Sequence, residues 1–462
     1  MTDVMILAAG LGTRMKSRHA KVLHELAGRP LIAHVVRTAF GLNPDSLYVI
    51  VGHQAEDVER AVRDEAEWLI KRGTNARPKL EFVLQSEQRG TGHAVMAARD
   101  HLRGRGGSII VIAGDGPMIK SETLAQLAET HTREQNGATV LSVRLPDPTG
   151  YGRIIRDTEG RFLRCVEQKD ASPQELDIRE VNVSIYCFDI AGLMDALEHL
   201  KTDNAQGEYY LTDVPQIMLG RGKRVGLVCH DKAEEALSVN TRVELAGLER
   251  QLREAKLNEL MLAGVTLIDP ATTYIHQDVE IGQDTIIYPQ VIIEGASRIG
   301  AGCTVQSWTR LKNVEVGDAV TIRNSSVIED SRISNGATVG PFSRLRMNAE
   351  IGEKAAIGNF VEVKKSKIGQ GTKASHLTYL GDATLGNHVN IGAGTVTCNY
   401  DGEHKHETFI EDEVKIGSDT MLVAPVRVGR GSVTGAGAVV TKDIPPGSLA
   451  VGVPAEVKKK LK

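Results

Sequence analysis

This sequence of 462 residues predicts an α/β unit with a mostly parallel sheet, then a linking helix, then a stacked β-helix of six-residue repeats. Three observations carry that reading. Up to about residue 240, short β-branched runs alternate with longer helical stretches. Residues 244–263 place apolar side chains at helical spacing. After Ile281, an aliphatic residue followed by Gly or Ser recurs every 17 or 18 residues.

In the first region the short runs are Val4-Met5-Ile6-Leu7, Leu47-Tyr48-Val49-Ile50-Val51, Glu81-Phe82-Val83-Leu84 and Ser108-Ile109-Ile110-Val111-Ile112. They are apolar nearly throughout, the pattern of strands covered on both faces by helices. Segments such as 31–38 and 56–70 read as those helices. Alternation of this kind gives a mostly parallel sheet, whose ligands gather at the carboxyl ends of the strands.

The linking segment carries Leu245, Leu248, Leu252 and Ala255 on one face and charge on the other, with Gly264 as a C-cap. In the repeats, the aliphatic residues are Ile281, Ile299, Val316, Ile333, Ile351, Ile368 and Leu385, with subsidiary copies at Val339, Ile357 and Ile391. A six-residue unit, three to a coil, marks a hexapeptide β-helix, which stands only as a stack. The rhythm breaks over 398–408 (CNYDGEHKHET) and resumes at Ile416 and Val428. A polar loop that breaks a repeat serves a site or a partner rather than the stack.

Composition narrows the function classes. The chain is too long for one ordinary core, and 41% hydrophobic residues exclude a largely disordered protein. Only 4% aromatic residues suits a narrow prism filled by Ile, Val and Ala. A formal net charge of −4 gives no drive towards nucleic acid or an anionic membrane, and Lys458-Lys459-Lys460 with Lys462 reads as a solvated tail. The five cysteines are widely spaced, without the pairs that zinc sites or disulfide frameworks need. The first ten residues lack a signal-peptide pattern, and no segment approaches the roughly 18 apolar residues of a membrane span. A cytoplasmic protein is expected.

The first strand runs into LAAGLGTRM, with Lys21 beyond. Glycines let a backbone approach phosphate oxygens, and a following helix start would offer N–H groups and a positive dipole end. Arg14 and Lys21 add charge against a triphosphate. A Walker loop is absent, and Gly10-Leu11-Gly12 alone would be weak evidence.

With that turn stand QRGTGHA (Gln88–Ala94), Gly114-Asp115, Tyr151-Gly152-Arg153-Ile154, Val166-Glu167-Gln168-Lys169 and Gln206-Gly207-Glu208-Tyr209-Tyr210. Together they resemble the sugar nucleotidyltransferases. With the repeats added, the whole chain resembles the family of bifunctional bacterial N-acetylglucosamine-1-phosphate uridyltransferase/glucosamine-1-phosphate acetyltransferases. The resemblance implies a Rossmann-like nucleotidyltransferase domain over 1–242, a linker helix over 243–263 and a left-handed β-helix acetyltransferase domain over 264–462. It also implies a homotrimer acting on small molecules.

On that resemblance Asp115 and Asn240 hold Mg2+, an ion suited by hard oxygen ligands. Leu7, Ala8, Ala9, Gly10 and Ala113 contribute to the nucleotide site, and Arg14 and Lys21 neutralise phosphates. Gln85, Gly90 and Thr91 read uracil, while Gly152, Glu167 and Asn182 hold the N-acetylated sugar. Without the family, Glu167 would read as a surface carboxylate. In the repeats, His376 is implied as general base for acetyl transfer from acetyl-CoA to glucosamine-1-phosphate. Arg346 and Lys364 would bind the sugar phosphate, and Tyr379 and Asn390 would orient the sugar. Asn399 and Tyr400 lie on the loop that in the family reaches a neighbouring subunit. Ala393, Ser418 and Ala436 would face acetyl-CoA. The second substrate pair would be UTP and N-acetylglucosamine-1-phosphate.

Departures from the family pattern are Ala20 for the usual Pro before the Lys, Gly116 for the Val of GDVP, and Val183-Ser184 for Thr-Gly after the Asn. The stretch 450–454 lacks the Arg that contacts coenzyme A in many relatives, and Lys442 is a candidate substitute. His404-Lys405-His406 has too few ligands nearby for a metal site. Two other readings stay open at this point: a monofunctional nucleotidyltransferase with structural repeats, and a non-catalytic assembly subunit. Separate assays of pyrophosphate and thiol release distinguish all three.

Overall fold

The computed structural model describes residues 2–460, which divide into a unit ending at Leu248 and a unit beginning at Glu249. The first unit is built on a nine-stranded mixed sheet. Its main path runs Val225–His230, Ala138–Arg144, Glu180–Asp189, Ser108–Ala113, Thr2–Leu7, Ser46–Val51, Lys79–Leu84. Thr2–Leu7 pairs in parallel with both Ser46–Val51 and Ser108–Ala113, whereas the ten-residue strand Glu180–Asp189 runs antiparallel to its neighbours. The hairpin of Gly152–Arg156 and Phe162–Val166 hangs on that antiparallel strand.

The helices form where the periodicity places them, at Leu31–Gly41 and Ala55–Lys71. Their apolar stripes, with Ile32, Val35, Val58 and Val62 fully buried, pack into one core with Val4, Ile6, Val49 and Ile110. One expectation changes. Lys79–Leu84 lies at the sheet edge, with Leu84 62% exposed, so it is not a strand covered on both faces.

The helix Arg242–Leu262 ends in a left-handed Gly264 (φ +94°), with Val265 N–H bonded to Leu260 O at 3.0 Å. That bond spans five residues, as in a Schellman cap. Ala255, expected on the apolar face, is exposed, and Leu257 and Leu260 join the core of the second unit instead.

The second unit is a left-handed parallel β-helix whose three faces are sheets of twelve, ten and nine strands. All seven aliphatic residues of the main repeat fall on the nine-stranded face, each in register with the next. Ile299 to Leu385 are at most 6% exposed. Buried hydroxyls turn inward at the corners and donate to carbonyls of the next coil, as from Thr285 to Gly300 O (2.8 Å) and Thr372 to Gly386 O (2.7 Å). The burial of Thr285 and Thr372 therefore leaves neither hydroxyl unpaired, whereas the buried Thr408 hydroxyl has no partner among the described residues. The repeat resumes earlier than the sequence spacing indicated, at Ile410, which pairs with Leu385. The lysine run is also more than a tail: Glu456–Lys460 is an exposed strand antiparallel to Ser448–Val451, with Lys462 outside the described residues. Among the described residues no helix is long and apolar enough to cross a membrane.

Candidate functional site

In the first unit three segments converge at the carboxyl ends of the central strands. Gly114 N–H donates to Leu7 O at 2.9 Å, and Ala113 stands in register with Leu7. Val239 N–H donates to Asp115 O at 2.9 Å, which brings residues 238–240 beside the turn. The element after the glycines is a three-residue 3-10 helix, Thr13–Met15, and not the α-helix start anticipated. Positive charge here therefore comes from side chains and not from a helix dipole. Gly12 sits at φ +61°, and a Cβ there would collide with Lys21, so only glycine lets the lysine fold back onto the turn.

That packing assembles a charged cluster. The Lys21 ammonium pairs with the Asp115 carboxylate and donates to Asn240 Oδ1 at 3.2 Å, while Arg14 donates to the same oxygen at 2.7 Å. A cation thus already stands between the carboxylate and the amide oxygen. Hard oxygen donors set around a cationic position fit a divalent metal, whose other ligands would be water and phosphate. Among the described residues no group of three His, Cys, Asp or Glu side chains could hold one by itself.

Gln85 is buried just past Lys79–Leu84, its Nε2 donating to Gly90 O at 3.2 Å beside His93. Gly90 has φ +105°, and a Cβ there would lie 2.5 Å from Tyr209 O. Thr91 accepts from Leu211 N–H at 3.1 Å. Ala9 O accepts from Gln88 at 3.3 Å, and Gly10 is exposed.

Gly152, Glu167 and Asn182 are brought together by the hairpin and the antiparallel strand: Gly152 faces Asn182 in register, and its Cβ would lie 3.6 Å from the Glu167 carboxyl. Burial, with the nearby Asp213, Asp170 and Glu208 charges, pushes the Glu167 carboxyl up. Burial, with the nearby Asp170 charge, also lifts Asp213 to about 6. Asp213 was missed from sequence, although it lies four residues beyond Tyr209.

The departures have local accounts. Ala20 N–H donates to Gln54 Oε1 at 2.6 Å, a bond proline could not make. Ser184 holds φ +58° at a bulge, so the left-handed backbone that glycine would take is kept by a residue that finds it costly. A side chain at Gly116 would meet nothing closer than 3.8 Å, and nothing in the structure explains the glycine.

In the second unit His376 is exposed at the end of Lys373–His376. Round the corner, on the ten-stranded face, Arg346, Lys364 and Gly381 stand in register, with Glu362 opposite Tyr379. Arg346 is paired with Glu362 at 2.7 Å. Tyr379 lies over Gly381, where a Cβ would collide with its ring. The buried Lys364 meets Asp382 at 3.3 Å, and Asn399 donates to the same carboxylate at 2.5 Å. Tyr400 is exposed on the loop, its hydroxyl donating to Gly402 O. Asn390 is exposed in register with Lys373 and not with His376, so it stands three residues down the strand from the histidine. Glu362 and Asp382 were not singled out from sequence.

Ala393, Ser418 and Ala436 stack at one corner of three successive coils: Asp419 N–H bonds Ala393 O at 2.7 Å, and Gly437 N–H bonds Ser418 O at 2.8 Å. Gly392 and Gly417 allow this approach, since a Cβ at Gly417 would lie 2.7 Å from Ala436 N. Lys442 is exposed nearby in sequence.

A family model described as a MobA-like NTP transferase domain matches residues 4–171. Across both units the chain is similar to proteins called bifunctional protein GlmU. That of Trichlorobacter lovleyi is 46% identical over 459 residues, covering 99% of this chain and 97% of its own. That of Heliobacterium modesticaldum is 48% identical over 449 residues, covering 97% and 94%. The Corynebacterium aurimucosum protein is 47% identical over 447 residues, covering 97% and 90%.

Proposed function

This chain belongs to the family of the bifunctional GlmU proteins, and from that premise we propose that it makes UDP-N-acetylglucosamine by two successive transfers. Glucosamine-1-phosphate is first acetylated by acetyl-CoA, and the N-acetylglucosamine-1-phosphate then takes a uridylyl group from UTP with loss of pyrophosphate. The observation that carries this reading is similarity running the length of both units, over a nucleotidyltransferase sheet and a β-helix that each bear a polar cluster.

We assign uridylyl transfer to residues 1–242, acetyl transfer to residues 264–462, and a linking role to 243–263. In the first, Lys21 leaves Asp115 for the incoming phosphates, joined by Arg14. Gln85 with the backbone at Gly90 and Thr91 reads uracil, and Leu7 to Gly10 and Ala113 wall the nucleotide. Glu167, Asn182 and the open Gly152 hold the sugar, whose phosphate oxygen attacks the α-phosphorus in line. Asp115 and Asn240 would hold a divalent cation, which we assign as Mg2+; when bound it offsets phosphate charge in the transition state.

In the second, His376 takes the proton released as the sugar amine attacks the thioester carbonyl. Arg346 and Lys364 bind the sugar phosphate, with Tyr379, Asn390, Asn399 and Tyr400 around the sugar. Backbone groups at Ala393, Ser418 and Ala436 face acetyl-CoA and the developing oxyanion.

We further assign a cytoplasmic homotrimer. What supports assembly is a corner of the prism where Phe342, Phe360 and Leu377 are exposed on successive coils, with Trp308 beyond Ser325 and the two phenylalanine rings stacked 5.2 Å apart. The exposed run ends beside His376, as a site completed by a second copy requires.

The test is product identification by mass spectrometry with glucosamine-1-phosphate, acetyl-CoA, UTP and Mg2+. UDP-N-acetylglucosamine is expected. Pyrophosphate release without thiol release would instead leave a monofunctional nucleotidyltransferase. The molar mass in solution tests the trimer.

A further inference from the structure

We propose that Asp382 is a positioning residue for acetyl transfer, clamping the repeat-breaking loop, aiming the Lys364 ammonium at the sugar phosphate and holding the Asn399 amide beside the sugar. The role rests on the acetyltransferase reading given above.

Asp382 sits at a corner of the prism at φ +47°, and its side chain is only 4% exposed. A carboxylate this buried is destabilising unless several donors meet it. One oxygen accepts from Asn399 at 2.5 Å and meets Lys364 at 3.3 Å, while the other meets Lys365 at 3.3 Å. Its backbone carbonyl accepts from Thr408 N–H at 3.1 Å. Asn399 opens the polar loop and Thr408 closes it. A single residue therefore ties both ends of the segment that carries Tyr400 and Lys405.

The charge arrangement supports the same conclusion. Lys364, Lys365 and Lys405 gather about one carboxylate, with Tyr379 also facing Lys364. Lys405 is held below its ordinary value by Lys364, but the ammonium groups of Lys364 and Lys365 still outnumber the single carboxylate, which suits a phosphate dianion. Burial alone would raise the Asp382 carboxyl, but Asn399, Lys364 and Lys365 outweigh it and hold the group below its ordinary value. Lys364 is held above its ordinary value, first by a hydrogen bond to the Lys405 amine and then, against burial, by Tyr379 and Asp382.

Asp382→Asn tests the idea in the full-length protein, because asparagine tolerates the left-handed corner and changes little but charge. Expected is a rise of at least ~10-fold in KM for glucosamine-1-phosphate and in its calorimetric Kd, as for loss of one partner of a buried charged pair. kcat for thiol release and the rate of uridylyl transfer should change far less. kcat/KM should also fall at a lower alkaline pH than in the wild type, because Lys364 loses the carboxylate that helps it keep its proton. Unchanged KM and Kd overturn the proposal, as does a fall in kcat alone or a loss of thermal stability with KM intact. If the wild type binds the sugar phosphate yet transfers no acetyl group, the functional reading fails while the Kd comparison still decides the role of Asp382. No binding by the wild type overturns both.

Discussion

Arg14 Nη2 donates to Asn240 Oδ1 at 2.7 Å, joining the glycine-rich turn to a residue 226 positions further on. Lys21 shares that oxygen and pairs with Asp115, so four residues from three segments form one polar cluster. Removing one oxygen donor should undo what the cluster does for the phosphates. Asp115→Ala is expected to lower UTP-dependent pyrophosphate release by ~100-fold or more, the size of losing one preorganised electrostatic contact to a transition state. Thiol release from acetyl-CoA should stay near the wild-type rate. Parallel assays on one preparation check both.

The converse variant is His376→Ala. A positioned general base contributes roughly 100- to 10,000-fold, and thiol release should fall by that order while uridylyl transfer persists. Retention of most acetyl transfer would remove His376 from the chemistry. Loss of both activities in a folded protein would refute two separate sites.

Much of this was legible in the sequence for physical reasons. Helical spacing and the recurrence every 17 or 18 residues record which side faces a core, and Ile281 to Leu385 fell on one face because each side chain must stack on the next. The edge position of Lys79–Leu84 was not legible, because an edge strand and a central strand can share the same apolar run. The short 3-10 turn Thr13–Met15 was hidden too, since glycines and a basic residue suit either turn or helix. Asp382 shows the limit most clearly. Asp330 occupies a similar corner at φ +44° and is exposed, whereas Asp382 is buried by a loop whose course no local pattern encodes.

Asp213 gives a pH signature. Its pKa of about 6 lies above the ordinary carboxylate value, so folding favours the protonated form. Its stabilising contribution is fully present below pH ~4 and is lost as pH rises through about 6. At pH 8 the ionised, half-buried carboxylate therefore lowers stability by on the order of 1–2 kcal/mol, since water on its exposed side screens part of the effect. Asp213→Asn should raise the thermal unfolding midpoint of the first unit at pH 8, and the gain should shrink steadily towards pH 5. A gain independent of pH would show that burial is not what raises the carboxyl.

The last prediction concerns the stack. Ile351 is 1% exposed, with Ile333 beneath it in register and Ile368 above. Neither neighbour can move inward without leaving its own coil, because each is fixed by the ladder on both sides. A cavity made there should relax little, which puts Ile351→Ala in the range of about 2–5 kcal/mol and Ile351→Val near ~1 kcal/mol. In a repeat array stability is passed between neighbours, so loss at a central coil weakens both interfaces it makes. Urea unfolding of the second unit should show a lower midpoint for Ile351→Ala than for Ile351→Val. Pyrophosphate release, assigned by our proposal to the first unit, should persist at urea concentrations where thiol release has already been lost. Equal midpoints for the two variants would mean that the coils can close on the gap, and that the prism is held chiefly by its backbone ladders and not by the aliphatic column.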